Sequence, residues 1–223
     1  MFQLAIIKDT IPLLPATFSI PAEQALKFEL NKKYANRVLH DVGLCVCVFD
    51  LIHAGEGKVR YGDGCLWHKV TFRLVVFRPF KSEVLLATVQ SSSEDGIRLS
   101  VEFFDDMFIP LEYLPYPSAF DPNERCFFWV PSQAEIETPE WPDLLDSPIT
   151  ERQYIYKKEV LRVRVVTEKF WDDEPGPPKA NTDGAPVAES RRSPYVITCS
   201  IAEQGLGVRE WWAGAAEDAE GEA

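Results

Sequence analysis

The sequence predicts two units of different class: a small α+β domain at the N-terminus, then a barrel of short β-strands. Three observations carry that reading. The first 80 residues place a helix-like stretch between long strand-like runs. From Lys81 the rhythm changes to short strands between turns. The charge changes sign at the same point, from a net +3 over residues 1–80 to a net −15 over residues 81–223.

In the first unit, Phe2–Ile7 reads as a strand and is followed by a loop with Pro12 and Pro15. Pro21 stands where a helix can begin, and Ala22–Tyr34 carries few breakers and the apolar residues Ala25, Leu26, Phe28 and Leu30. Val42–Leu51 is apolar at consecutive positions, which predicts a central strand covered on both faces. His53–Gly64, with four glycines, is a turn region. Val70–Phe77 alternates Val70, Phe72, Leu74 and Val76 against the intervening residues, the period of a strand, and Pro79 closes the unit.

In the second unit the strands expected in order are Glu83–Gln90, Gly96–Val101, Phe103–Ile109, Arg125–Val130, Val160–Thr167 and Tyr195–Ser200. Short strands at such spacing suggest a barrel such as the OB-fold. Residues 131–150 interrupt them with prolines and acids. Residues 172–194 hold almost nothing apolar and are expected to be disordered, as is the small, acidic tail from Ala213.

Composition limits the classes of function. Hydrophobic residues make up 46% of the chain, enough to bury cores. No apolar run reaches the roughly 18–20 residues of a membrane span, so no membrane association is expected. Five cysteines, an odd number without framework spacing, argue for a reducing compartment. Cys45 and Cys47, two apart in a strand, should share one face. Cys65, His53 and His68 could join them as metal ligands, but buried free thiols are the commoner outcome.

Enzyme signatures are missing. Gly55-x-Gly57 and Gly62-Asp63-Gly64 lack the Lys-Ser/Thr of a phosphate loop, and neither a Gly-x-Ser-x-Gly nor a His-Glu-x-x-His motif occurs. No cofactor is expected. What remains is a surface. Residues 152–170 carry Arg152, Lys157, Lys158, Arg162, Arg164 and Lys169 against two acids, a local +4 in an acidic half. Leu161, Val163 and Val165 alternate with Arg162 and Arg164, which aims both arginines outward. Arg162 and Arg164, with Lys169 and Arg98, are therefore candidates for phosphates of single-stranded RNA. Phe103, Phe104, Phe108 and Trp129 are candidate stacking rings, Phe104 foremost.

A series of segments is specific beyond these patterns. Asn31-Lys32-Lys33-Tyr34-Ala35-Asn36 precedes Val42-Gly43-Leu44-Cys45-Val46-Cys47-Val48-Phe49-Asp50 and Gly62-Asp63-Gly64. Phe72-Arg73-Leu74-Val75-Val76-Phe77-Arg78-Pro79-Phe80, Gly96-Ile97-Arg98-Leu99-Ser100 and Phe103-Phe104-Asp105-Asp106-Met107-Phe108-Ile109-Pro110 follow. Leu161–Val166 and Gly205-Leu206-Gly207 with Trp211-Trp212 complete the series. In this order, over residues 1–212, the chain resembles the stalk barrel proteins of RNA polymerases, the seventh-subunit family of nuclear and archaeal enzymes. The insertion at 172–194 points to the polymerase III branch.

The resemblance implies an RNP-like tip domain at 1–80 that docks on the polymerase core, with Gly62, Asp63 and Gly64 in the docking loop. It implies an S1-like OB barrel at 81–212 that binds nascent RNA, and an acidic tail at 213–223. It also implies a non-catalytic role in initiation, a heterodimer with a helical stalk subunit, and a nuclear location. The alternatives are the equivalent subunit of another nuclear polymerase, or a free-standing RNA chaperone or translation factor.

Overall fold

The computed structural model describes residues 1–133, 144–172 and 192–212. Most of the segment 172–194 and all of the tail from Ala213, both expected to be disordered, lie outside the described residues. The chain divides into two compact units, Met1–Pro79 with Phe170–Tyr195, and Phe80–Lys169 with Val196–Ala223.

The first unit runs β1 (Phe2–Leu13), α1 (Ala22–Tyr34), β2 (Arg37–Leu39), β3 (Gly43–Ala54), β4 (Lys58–Val59) and β5 (Leu66–Phe77). Its sheet is antiparallel in the order β1-β5-β3-β2, and β4 pairs with the start of β5. Strand β1 pairs with β5 from Phe2↔Phe77 to Leu13↔Leu66, so it continues well past Ile7. Pro12 is tolerated within it because an edge strand has a free side where no N–H is needed.

Helix α1 begins directly after Pro21, with Glu23 in its first turn and Lys32 and Lys33 in its last, charges that complement the helix dipole. Ala25, Leu26 and Leu30 bury against Ile11, Leu13, Cys45, Val70, Phe72, Leu74 and Val76 of the sheet. The Asn31 side-chain oxygen accepts the Val48 N–H at 2.8 Å and ties the helix to β3.

Two expectations for β3 are corrected. It does lie inside the sheet, between β5 and β2, but among the described residues it is covered on one face only, by α1. Leu4, Ile6, Phe49 and Ile52 are left exposed. Cys45 and Cys47 do not share a face either. A bulge puts Cys45 opposite Val76 and Cys47 opposite Val75, so Cys45 is buried and Cys47 exposed. One extra residue reverses the alternation.

The second unit runs β6 (Val84–Ser93), β7 (Gly96–Val101), β8 (Phe104–Pro110), β9 (Ser118–Asp121), β10 (Cys126–Trp129), β11 (Gln153–Ile155), β12 (Val160–Phe170), β13 (Tyr195–Ser200) and β14 (Gly207–Val208). Strands β6, β7 and β8 form an antiparallel meander. β13 lies parallel to β8, and β12 closes the barrel between β13 and β6, the connectivity of an OB-fold. Leu85, Ala87, Val89, Ile97, Leu99, Met107, Ile109, Leu161, Val163, Val165, Ile197 and Cys199 fill the interior. The segment expected as the fourth barrel strand, Arg125–Val130, is not in the barrel. β10 is the middle strand of a separate three-stranded sheet, β11-β10-β9.

That small sheet is welded to the residues before β11 by a buried cation. Arg152 donates from Nη2 to the carbonyls of Leu145 and Ser147, each at 2.6 Å, and from Nε to Ser147 Oγ at 3.0 Å. Its Nη1 donates to Tyr154 Oη at 3.1 Å, and that hydroxyl donates to Asp121 Oδ2 at 3.1 Å. The guanidinium also lies over the Phe128 ring at 4.8 Å. With 8% of its side chain exposed, Arg152 cannot belong to the basic surface. The local +4 therefore overstates the charge that solvent meets.

Candidate nucleic-acid interface and docking loop

Alternation along β12 buries Leu161, Val163 and Val165 and turns Arg162 and Arg164 to the outer wall of the barrel. Their cross-strand neighbours on β6 are the exposed aliphatic residues Leu86 and Val84, not acids. The two arginines nevertheless differ. Arg162 is exposed and donates from Nη1 to the Gly205 carbonyl at 3.2 Å, which leaves most of its fork to solvent. Arg164 forms an ion pair with Glu203, and its buried Nε has no hydrogen-bond partner among the described residues. Both arginines thus lean on the loop 203–205, one through a carbonyl and one through a carboxylate.

The other candidates fall in several places. Arg98 is exposed on β7, opposite Ser91 on one side and Phe108 on the other. It shares the outer wall with Arg162, but two strand spacings and five residues of register put them on the order of 20 Å apart. Lys169 is exposed, but it lies seven positions after Arg162 in the same strand. Seven residues of extended strand set it on the order of 23 Å from Arg162, so it does not stand beside that arginine.

Phe104 is a correction as well: at 5% exposure it packs inside the barrel and offers no face to a base. Its neighbour Phe103 is the exposed ring of the pair. Phe108 is half-buried beside Arg98. Trp129 is half-buried on β10, with its ring 5.3 Å from Trp211. Sequence reasoning took Trp211 only as part of the family series, not as a stacking ring, and Tyr116 not at all. Both stand outside regular strands, where periodicity says nothing of their direction.

Gly62, Asp63 and Gly64 form the turn between β4 and β5. Gly62 and Gly64 have φ of +101° and +65°, and open space surrounds Gly62. What they supply is backbone conformation, not room. Asp63 braces the turn: one carboxylate oxygen accepts the Cys65 N–H at 3.0 Å and the other the Trp67 indole N–H at 3.1 Å. The Cys65 hydrogen bond first, and the Trp67 bond with it, hold the Asp63 carboxyl below its ordinary pKa. With the acid so used, the groups the loop offers outward are Tyr61, wholly exposed, Val59, and Arg60, whose guanidinium lies 5.6 Å from the Trp67 ring. Exposed tyrosine and arginine are the residue types that anchor interfaces. Sequence reasoning passed over them because it attended to the glycines.

The metal ligands considered from the sequence do not assemble. Cys45, Cys65 and Cys126 are buried, His68 Nδ1 lies 3.0 Å from the Gly55 carbonyl, and no group of metal-binding side chains occurs among the described residues. Burial pushes the Cys45 thiol up to about 11 and the Cys199 thiol up to about 12.

Residues 83–212 match the family model of RNA polymerase III subunit Rpc25. Residues 8–64 match that of the SHS2 domain found in the N terminus of Rpb7p/Rpc25p/MJ0397. Three curated relatives are similar over 95% of the chain. They are DNA-directed RNA polymerase III subunit rpc8 of Schizosaccharomyces pombe, 40% identical with all of its length covered, and RPC8 of Bos taurus, 38% identical with 98% covered. The third is RPC8 of Saccharomyces cerevisiae, 29% identical with all of its length covered.

Proposed function

Because the chain belongs to the family of RNA polymerase III subunit Rpc25, we propose that it is the corresponding subunit of a nuclear DNA-directed RNA polymerase III. Its role is non-catalytic: it forms the barrel half of a stalk heterodimer with a helical partner, supports initiation, and holds emerging transcript on the barrel. The observation that carries this reading is the near full-length similarity to polymerase III subunits.

Two surfaces support its parts. On the first unit, the sheet face opposite α1 exposes Leu4, Ile6, Phe49 and Ile52, an apolar patch suited to a protein partner. The loop bearing Tyr61 and Arg60, shaped by Gly62, Asp63 and Gly64, serves as the docking element toward the polymerase core. On the barrel, Arg162 and Arg98 face solvent and meet RNA phosphates.

Co-expression tests the heterodimer. Alone, the chain should aggregate or elute as oligomers, and with the helical stalk subunit it should elute as a one-to-one complex. A monodisperse monomer that ignores that subunit would overturn the reading.

A further inference from the structure

The geometry points to a nucleobase-stacking cleft beside Arg162, formed by Tyr116, Trp129, Trp211 and Trp212, as the place where single-stranded RNA is gripped on the second unit. The cleft measures about 540 Å³, within the range of sites that enclose a small planar group. Ile201 and Leu206 line it together with the rings, and Ser132, Glu203 and Gln204 add polar groups to the lining.

The rings are held in fixed attitudes. The Trp129 indole N–H donates to the Tyr116 carbonyl at 3.3 Å, and that of Trp212 donates to the Leu206 carbonyl at 2.8 Å. Trp129 and Trp211 lie tilted at 42° to one another. Gly207 has no Cβ, and one built there would come within 2.6 Å of the Trp211 ring, so that ring is seated directly on backbone.

Two observations select the occupant. First, grooves that read proline-rich peptides use indole N–H donors against peptide carbonyls, and here the Trp129 and Trp212 donors are spent within the protein. What these two indoles offer is their faces, and a π-face is what every base stacks on. Second, Glu203 and Gln204 line the cleft, and the next residue, Gly205, accepts the hydrogen bond from Arg162. Glu203 does not repel an approaching phosphate as a free acid would, because Arg164 neutralises it. Rings for bases and an exposed cation for the backbone therefore stand near one another, the combination that binds single strands without sequence preference. This inference rests on the RNA-binding reading of the barrel and replaces Phe104 with the cleft as its stacking platform.

The test uses the full chain in complex with its helical partner and a fluorescently labelled oligouridylate of about 15 nucleotides. Tyr116→Ala and Trp129→Leu should each weaken binding by about 5-fold to 100-fold while leaving the salt dependence of binding unchanged, since stacking moves no counterions. Arg162→Ala should do the reverse, flattening the salt dependence. Oligouridylate should also quench tryptophan emission in the wild type, and less so in Trp129→Leu. Circular dichroism and the thermal midpoint identify a variant that has lost its fold; Tyr116→Ala, at a ring already exposed to solvent, keeps the test valid if Trp129→Leu unfolds.

Wild-type affinity in both aromatic variants, with loss in Arg162→Ala, would overturn the cleft and leave the RNA reading standing. Failure of the wild-type complex to bind the oligonucleotide at all would overturn both. Quenching by a proline-rich peptide, but not by RNA, would assign the cleft to a protein partner instead.

Discussion

Removing the carboxylate of Glu203 should strengthen RNA binding and steepen its salt dependence. Arg164 is paired with Glu203, so in the wild type its charge is already compensated and contributes little to counterion release. Arg162 is bound only to a carbonyl and contributes in full. Each phosphate contact made to a single strand changes the salt slope by roughly 0.7. Arg162→Ala should therefore flatten the slope by about 0.7, Arg164→Ala should flatten it less, through the carboxylate of Glu203 that it leaves unpaired, and Glu203→Gln should steepen it by about 0.7 by freeing Arg164. Between about 50 and 200 mM salt, one such contact amounts to an additional change in affinity of about 2.6-fold. The effects should not add: Arg164→Ala combined with Glu203→Gln should return to the wild-type slope. Fluorescence anisotropy of a labelled oligouridylate, titrated at several potassium chloride concentrations, reads these slopes. Arg162 lies on the outer surface, so its replacement should move stability by no more than about 0.5 kcal/mol, and the thermal midpoint of the Arg164 and Glu203 variants shows whether breaking their ion pair costs more. Equal flattening by Arg162→Ala and Arg164→Ala, with no effect of Glu203→Gln, would refute the reasoning.

Other consequences follow from the same geometry. Arg152→Met should destabilise the second unit by about 3–5 kcal/mol in chemical denaturation, because it leaves Asp121, 7% exposed, without its cation; a loss under about 1 kcal/mol would contradict the buried weld. In the native chain iodoacetamide should modify Cys47 first, with Cys45, Cys65, Cys126 and Cys199 protected until unfolding, as mass spectrometry of the peptides would show; labelling of Cys199 at a similar rate would contradict the barrel core. Asp9→Asn should flatten the acid limb of the stability curve. Burial raises the Asp9 pKa, but hydrogen bonds from Lys33 and Tyr34 outweigh it and leave the folded value below the ordinary one. The stability this contributes is complete above about pH 4 and is lost as pH falls through the lower folded value. An unchanged acid limb in urea melts between about pH 2 and 5 would exclude that contribution.

The parts of the fold that were legible in the sequence are those with an unbroken period. Ala22–Tyr34 emerged as a helix with those bounds from a proline start, few breakers and the apolar residues Ala25, Leu26, Phe28 and Leu30, and the charges at its two ends agree. β5 and β12 emerged because Val70, Phe72, Leu74 and Val76 in the one, and Leu161, Val163 and Val165 in the other, are buried at every second position. β3 was misread because its bulges add residues without altering its hydrophobic composition; a run that looks apolar on both faces is a run that changes face. β9 and β11, of four and three residues, are too short to show a period, which left β10 without visible partners and assigned it to the barrel.

For the site, Arg162 and Arg164 could be aimed from β12 alone, but their separate fates depended on a loop some forty residues further along. Phe103 and Phe104 are adjacent, so one must point inward. The register shift between Leu99 and Val101 in the β7–β8 pairing obscures which of them does. Arg152 and Tyr61 show the same limit from opposite sides. A cation counted as surface proved buried, and an aromatic overlooked in a turn proved wholly exposed, because neither lies in a periodic segment.

The central claim, that the chain works as a polymerase III stalk subunit, is tested most directly by affinity purification of the tagged chain from nuclear extract and mass identification of what accompanies it. The large polymerase III subunits and one helical partner should be recovered together. Tyr61→Ala should lose the large subunits while keeping the partner. Recovery of the chain free of any polymerase subunit, or with the core subunits of a different polymerase, would contradict it.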